Sequence, residues 1–413
     1  MSIIHDYRLT HCSMKILAFL MYYRGMTALQ LTQMYYEVQL PLNTQKSSIH
    51  NYLSKLKNQG LVASKKVNDP LHPGSLYWLT TLGLDTAKDL LNIDIGAAGT
   101  GYIFSDDNQQ QSQADLPYEI YAPPKMQVEH HLSLIDFFNI LRWNFFEDEH
   151  ITHRLSMYCS VEYSVGNKQT KIRPDAEIVL PNGDIYWIEI DKATESHSKL
   201  LNKFNNYKHY FDYLKQQKLP LPMKAILFVT DTKQHNGGVK RRWSSLLSAY
   251  LKVMHTNDVD VRLLLTPLNK LEQTLRFEMQ RKELEVTAKQ FLSTKAQLED
   301  YPQMQRYSKL SSEQLLFALA INNNAYKIIY ANISNTFDSS AYTNFQQFLT
   351  NEARIKKKNE VQKLKFQGLE RIIFYQDDPP QLLQRLHGSE NYPEIEDLLK
   401  QLSSNIEFVE LIY

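Results

Sequence analysis

Along the first 92 residues the apolar positions fall at helical spacing and then alternate. Met14, Ile16, Leu17, Leu20 and Met21 predict a helix over 12–23 that Gly25 ends. Thr27 suits the N-cap of a second helix over 28–36. After Pro41, Asn43 or Thr44 caps a longer third helix that runs through Asn58 and stops at Gly60, with Ile49, Leu53 and Leu56 as its buried stripe. Residues 61–67 and 75–79 read as strands joined across Asn-Asp-Pro and Pro-Gly turn signals, and a last helix covers 84–91. Helix, helix, helix, hairpin, helix is the order of a winged helix-turn-helix, predicted over 1–92.

Residues 93–116 are polar and glycine- and glutamine-rich, and read as a flexible linker. Beyond them, a helix over 125–147 carries Val128, Leu132, Leu134, Ile135, Phe138, Ile140 and Leu141. Strands are expected at 157–165, 171–180 and 185–191, separated by Gly166-Asn167 and Asn182-Gly183-Asp184 turns. A helix over 194–215, a strand at 224–230, a helix over 240–254 and a strand at 259–266 complete the order αβββαβαβ over 117–268. Residues 269–311 read as a charged helical spacer. Residues 312–413 read as a small C-terminal domain with strands at 326–330 and 370–375 and a basic run of Arg354, Lys356, Lys357, Lys358, Lys363 and Lys365. The expected class is α/β multidomain, with a mostly helical C-terminal extension.

The strand at 185–191 concentrates the candidate chemistry. Alternate side chains of a strand share a face, so Glu189 and Asp191 point together and Lys192 points away. Asp175 opens the preceding strand. Carboxylates that close repel, and they persist when a divalent cation or a basic partner sits between them. Oxygen-only clusters suit Mg2+ or Mn2+. Trp187, Ile188 and Ile190 flank the acids and imply burial, which demands a partner. On the next helix Glu195, Lys199, Lys203 and Tyr207 recur at four-residue intervals on one stripe. In a catalytic reading Asp175, Glu189 and Asp191 hold the metal and Lys203 serves the phosphate or water, with Glu129, His131, Glu195, Lys199 and Tyr207 in support. In the alternative, Lys203 pairs with Asp191 and leaves an inactive, structural site.

Composition narrows the partners. With a net charge of +1 the chain is no polycation, so nucleic acid must meet a local patch. Residues 42–68 supply one: five lysines and no acid. Gln45, Lys46, Ser48, Asn51, Tyr52 and Lys55 lie mostly off the buried stripe of the third helix, and Lys65 and Lys66 sit on the following hairpin. These are the expected contacts to double-stranded DNA. Two cysteines, Cys12 and Cys159, in no metal-like spacing suggest a reducing, cytoplasmic compartment without zinc or disulfides. No apolar run reaches membrane-span length, so no membrane partner is expected.

Residues 1–266 resemble the replication-relaxation family of bacterial plasmids and other mobile elements, a winged helix followed by a PD-(D/E)XK restriction-endonuclease-like domain. The matching features are Glu-His-His-Leu-Ser-Leu-Ile-Asp at 129–136, Arg-Pro-Asp at 173–175, and Glu-Ile-Asp-Lys-Ala-Thr-Glu at 189–195 followed by Lys203 and Tyr207. The resemblance implies a role in plasmid replication or transfer-origin processing. Origin DNA would be the partner, alongside a second copy of the chain or replication and relaxosome proteins. One departure matters: Asp191 stands where the nuclease pattern has lysine. Metal-dependent nicking with Mg2+ or Mn2+, and an inactive origin-binding, relaxosome accessory or regulatory protein that keeps the fold as scaffold, both stay open.

Overall fold

A computed structural model describes residues 9–91, 99–102, 118–145, 151–166, 168–193, 195–231, 238–254, 261–299, 303–306, 316–357, 361–383, 385–386, 393–402 and 406–411. The protein is mixed α/β with several small sheets. It divides into two compact units, Met1–Pro181 and Asn182–Tyr413.

The first unit opens with α1 (His11–Tyr23), capped by the Thr10 hydroxyl, which accepts from Ser13 N at 3.2 Å. A short β1 (Met26–Thr27) leads into α2 (Ala28–Tyr36). The expected Thr27 cap is present as a reciprocal box. Thr27 Oγ1 accepts from Gln30 N at 3.2 Å and Gln30 Oε1 accepts from Thr27 N at 3.1 Å. On α3 (Asn43–Asn58) neither Asn43 nor Thr44 is the cap. Leu42 holds that position, and Gln45 Oε1 reaches back to accept from its N–H at 2.7 Å. β2 (Val62–Val67) and β3 (Gly74–Leu79) form an antiparallel hairpin, and β1 adds to β3. α4 (Thr81–Leu91) follows. At Gly83 a Cβ would lie 1.9 Å from Leu61 O, so only glycine lets this helix approach the hairpin so closely.

Next come α5 (Tyr118–Tyr121), α6 (Val128–Asn144), β4 (Thr152–Leu155), α7 (Ser156–Cys159), β5 (Val161–Val165), β6 (Lys168–Ile172) and β7 (Ala176–Val179). β4 pairs antiparallel with β7, and β5 with β6. Two expected strands are corrected. Residues 157–165 begin as a helical turn, because Ser160 Oγ donates to Ser156 O at 2.5 Å and offers the backbone a local alternative to a ladder. Residues 171–180 are divided between β6 and β7 at Pro174, which has no N–H for a ladder. Of the linker, only 99–102 are among the described residues. They are anchored: Gly99 N donates to Met157 O at 2.8 Å and Gly101 N to Ser160 O at 3.1 Å.

In the second unit β8 (Ile185–Asp191), α8 (His197–Gln216), β9 (Ala225–Thr230), α9 (Gly238–Met254) and β10 (Arg262–Pro267) alternate. β8 and β10 each run parallel to β9. Every residue of β9 and β10 is buried, as parallel strands covered on both faces require.

The charged stretch after 269 is not a spacer. It forms α10 (Leu271–Met279) and α11 (Arg281–Leu298), and Leu284, Ala288, Leu292 and Ala296 of α11 enter a hydrophobic core with Ala318, Ile329 and Phe374. Nor is the C-terminal part mostly helical. β11 (Gln303–Arg306), β12 (Leu316–Ile321), β13 (Ala325–Ile333), α12 (Ser340–Lys356), β14 (Lys365–Tyr375), α13 (Pro393–Leu402) and β15 (Ile406–Glu410) build a sheet in the order β11-β12-β13-β14-β15, parallel from β13 onward. Of the basic run, Lys358 and the side chain of Arg354 lie outside the described residues, and Lys356 pairs with Glu352 at 2.8 Å.

Candidate functional site

On α3 the sequence places Gln45, Ser48, Tyr52 and Lys55 along one face, and in the structure Gln45, Ser48 and Tyr52 are partly buried and Lys55 is exposed. Lys55 and Asn51 are exposed, and the Lys55 ammonium lies 5.6 Å from the centre of the Tyr52 ring. Gln45 is committed in part to the helix start. Lys65 and Lys66 are exposed, but the register sends them to opposite faces of the hairpin: Lys65 opposes Leu76, and Lys66 opposes Ser75. Among the described residues, none of Lys46, Lys55, Lys65 and Lys66 forms an ion pair with a carboxylate.

Within the same unit, Asp175 meets His130, whose Nε2 lies 3.0 Å from Asp175 Oδ1. Arg173 donates to Gly101 O from Nε at 3.2 Å and from Nη2 at 2.8 Å. His131, the expected supporting histidine, is instead a core residue. Its Nε2–H donates to Gly25 O at 3.0 Å, and burial lowers its pKa to about 4. Glu129 is exposed. Asp136 belongs to another arrangement: His72 bridges Asp69 Oδ2 at 2.5 Å and Asp136 Oδ2 at 2.6 Å, and Gln30 Nε2 donates to Asp136 Oδ1 at 2.7 Å. Burial works against the His72 imidazolium, but hydrogen bonds and charge from Asp136 and then Asp69 outweigh it and raise its pKa above the ordinary 6.5.

In the second unit Glu189 and Asp191 are 5% and 3% exposed, and every oxygen of the pair is engaged by the protein. Lys203 Nζ donates to Glu189 Oε2 at 3.0 Å, and Tyr207 OH donates to Oε1 at 2.5 Å. Arg242, near the start of α9, grips Asp191 with both arms: Nε to Oδ2 at 2.7 Å and Nη2 to Oδ1 at 2.6 Å. Ala193 N also donates to Asp191 Oδ1 at 3.0 Å, from a left-handed backbone with φ 55°. Glu195 precedes α8, yet its carboxylate lies 3.5 Å from Lys203 and its carbonyl accepts from Arg242 at 3.0 Å. Lys199 is exposed and is not brought to the acids.

Residues 17–220 match the family model described as Replication-relaxation. Over that span the chain is similar to the replication-relaxation family. No curated protein matches the chain. The matched span holds Asp175, Glu189, Asp191, Lys203 and Tyr207. Arg242 lies beyond it.

The lysine expected to face Asp191 faces Glu189, and an arginine that the sequence reading missed takes Asp191. Such a donor set does not fit a divalent cation as arranged. A cation would have to displace a bidentate guanidinium from one carboxylate and an ammonium and a phenol from the other. Among the described residues no three His, Cys, Asp or Glu side chains gather as metal ligands. The signal for Arg242 was a charged residue on the apolar stripe of α9, between Val239 and Leu246 and beside Trp243, with two buried carboxylates still in need of a cation. The signal for His131 was its place on the Leu134, Ile135, Phe138 stripe of α6, a face that His130 leaves by a turn of about 100°. Among the described residues no helix is long and apolar enough to cross a membrane.

Proposed function

We propose that this protein binds double-stranded DNA through a winged helix-turn-helix and keeps a PD-(D/E)XK-like domain as a charge-locked scaffold. The observation that carries the second half is the bidentate Arg242–Asp191 pair, buried on both sides. A guanidinium held there supplies the positive charge that the carboxylate needs and makes the pair part of the core. Support for the first half is the order α1–α2–α3–β2–β3–α4 together with lysines that meet no carboxylate. In this reading α3 lies in a major groove, with Lys46 and Lys55 on phosphates and Asn51 and Ser48 toward base edges. Lys65 and Lys66 on the hairpin flank it.

A second reading, metal-dependent nicking with Mg2+ or Mn2+, is favoured by one observation: Lys203 stands on Glu189, where a nuclease of this fold wants a lysine beside an acid. Incubation of supercoiled plasmid with Mn2+ separates the two. The scaffold reading expects no nicking by the wild-type protein. Nicking that disappears in Glu189→Ala would establish the nuclease instead.

A further inference from the structure

A cleft of about 690 Å³ opens beside the β2–β3 hairpin, between it and residues 118–129 of the same unit. Its volume falls within the range of small-ligand sites, roughly 300–1,000 Å³. Trp78, Leu76, Pro123 and Pro124 give it an apolar floor. Lys65, Lys66 and Lys125 line it as well, against one carboxylate, Glu129. Register puts Lys65 on the same hairpin face as Trp78, because Lys65 opposes Leu76 and Ala63 opposes Trp78. The Tyr118 hydroxyl, another lining group, donates to Leu79 O at 2.6 Å, on the residue next to Trp78. Trp78 is a partly buried aromatic platform in a cleft that ammonium groups also line.

We propose that this cleft receives unpaired nucleotides of a single DNA strand. A duplex offers phosphates and groove edges but keeps its base faces stacked, so it has nothing to lay on an indole. A single strand offers both of the surfaces the cleft is built for. Its bases stack on Trp78, and its phosphates meet Lys65 and Lys125. The proposal deepens the DNA-binding reading, adding a strand-selective subsite to a duplex-binding domain, and its failure is distinguishable from the failure of that reading.

The test is a pair of anisotropy titrations on the full chain, one with a labelled oligothymidylate of about 12 nucleotides and one with a labelled mixed-sequence duplex. Trp78→Ala is expected to weaken oligothymidylate binding by about fivefold or more, the lower end of the loss for one stacking platform, and to leave duplex affinity unchanged. Lys125→Glu, a change at an exposed position, is expected to act in the same direction without disturbing the core. Lys46→Ala with Lys55→Ala is expected to do the reverse. A wild-type protein that binds duplex but not the oligonucleotide overturns the cleft proposal alone. So does a Lys125→Glu variant of unchanged single-strand affinity. Binding of the oligonucleotide without the duplex, lost in both cleft variants, supports the cleft and overturns the α3 interface.

Discussion

Cationic side chains on α3 and β2 of the first unit and around β8 of the second occupy opposite settings. On α3 and β2, Lys46, Lys55, Lys65 and Lys66 stand at or near the surface, without a carboxylate among the described residues. Around β8, Arg242 and Lys203 are drawn onto Glu189 and Asp191, and Arg242 is 7% exposed. Farther into the second unit the pattern is stronger still. Arg262 donates to Glu278 Oε1 and Asp338 Oδ2, each at 3.1 Å, and Arg281 donates to the same Glu278 oxygen at 3.1 Å. Burial alone would raise the Glu278 pKa, but Arg262 and Arg281 outweigh it and hold that carboxylate well below the ordinary range. Charge that finds its counter-charge inside the chain serves the fold. Charge left at the surface is open to a partner, and in the DNA-binding reading proposed above that partner is a polyanion that meets several lysines at once.

The comparison breaks first at Arg242. Arg242→Ala leaves Asp191 buried and unpaired, and is expected to cost about 3–5 kcal/mol in a urea unfolding curve. Replacing both partners with apolar residues, Arg242→Met with Asp191→Leu, should recover part of that loss, because no buried charge is then left uncompensated, although the hydrogen bonds to Glu195 O and from Ala193 N are lost. A double variant as unstable as the single one would show that Asp191 has a further role.

A smaller effect is expected from pH. The folded-state pKa of His131 is about 4, below its ordinary 6.5, so the unfolded chain binds a proton that the folded chain refuses between those values. Stability therefore falls as pH drops through that window, by about 3 kcal/mol at order of magnitude for this histidine. His72 has the opposite sign. Its raised pKa contributes stability that is full below pH 6.5 and is lost as pH rises through its elevated folded value. Urea midpoints at pH 7 and pH 4.5 test the first. His131→Gln, which keeps a donor for Gly25 O, should reduce the acid-induced loss, and an unchanged loss would contradict the assignment.

Tyr207→Phe removes one charged hydrogen bond from Glu189 and should cost about 1.5–3 kcal/mol. Smallest in stability, and largest in function, is Lys46→Ala with Lys55→Ala. Unfolding should shift by less than about 0.5 kcal/mol, while duplex affinity falls and the slope of log K against log salt shrinks by about two. Unchanged affinity and slope would remove α3 from the interface.

Much of this arrangement was legible in the chain itself, for local reasons. The alternation in 185–191 is a property of one strand, so the shared face of Glu189 and Asp191 follows from the period of two. The Thr27 cap is equally local. What could not be read depends on residues distant in sequence. Arg242 reaches Asp191 across 51 positions, and neither residue names the other. The pairing of His130 with Asp175 is of the same kind. The C-terminal sheet was legible only in part: the strands expected at 326–330 and 370–375 lie within β13 and β14, and the others were missed for another reason. Leu316–Ile321 is a short unbroken apolar run, which fits a buried strand and a buried helix equally well.

Titration calorimetry of Mn2+ into the wild-type protein and into Glu189→Gln with Asp191→Asn bears most directly on the charge-locked pair. Identical heats, with no binding that depends on these two carboxylates, are the expected result. Stoichiometric binding to the wild type that vanishes in the double variant would contradict it, and would return Glu189 and Asp191 to the chemistry of a metal site.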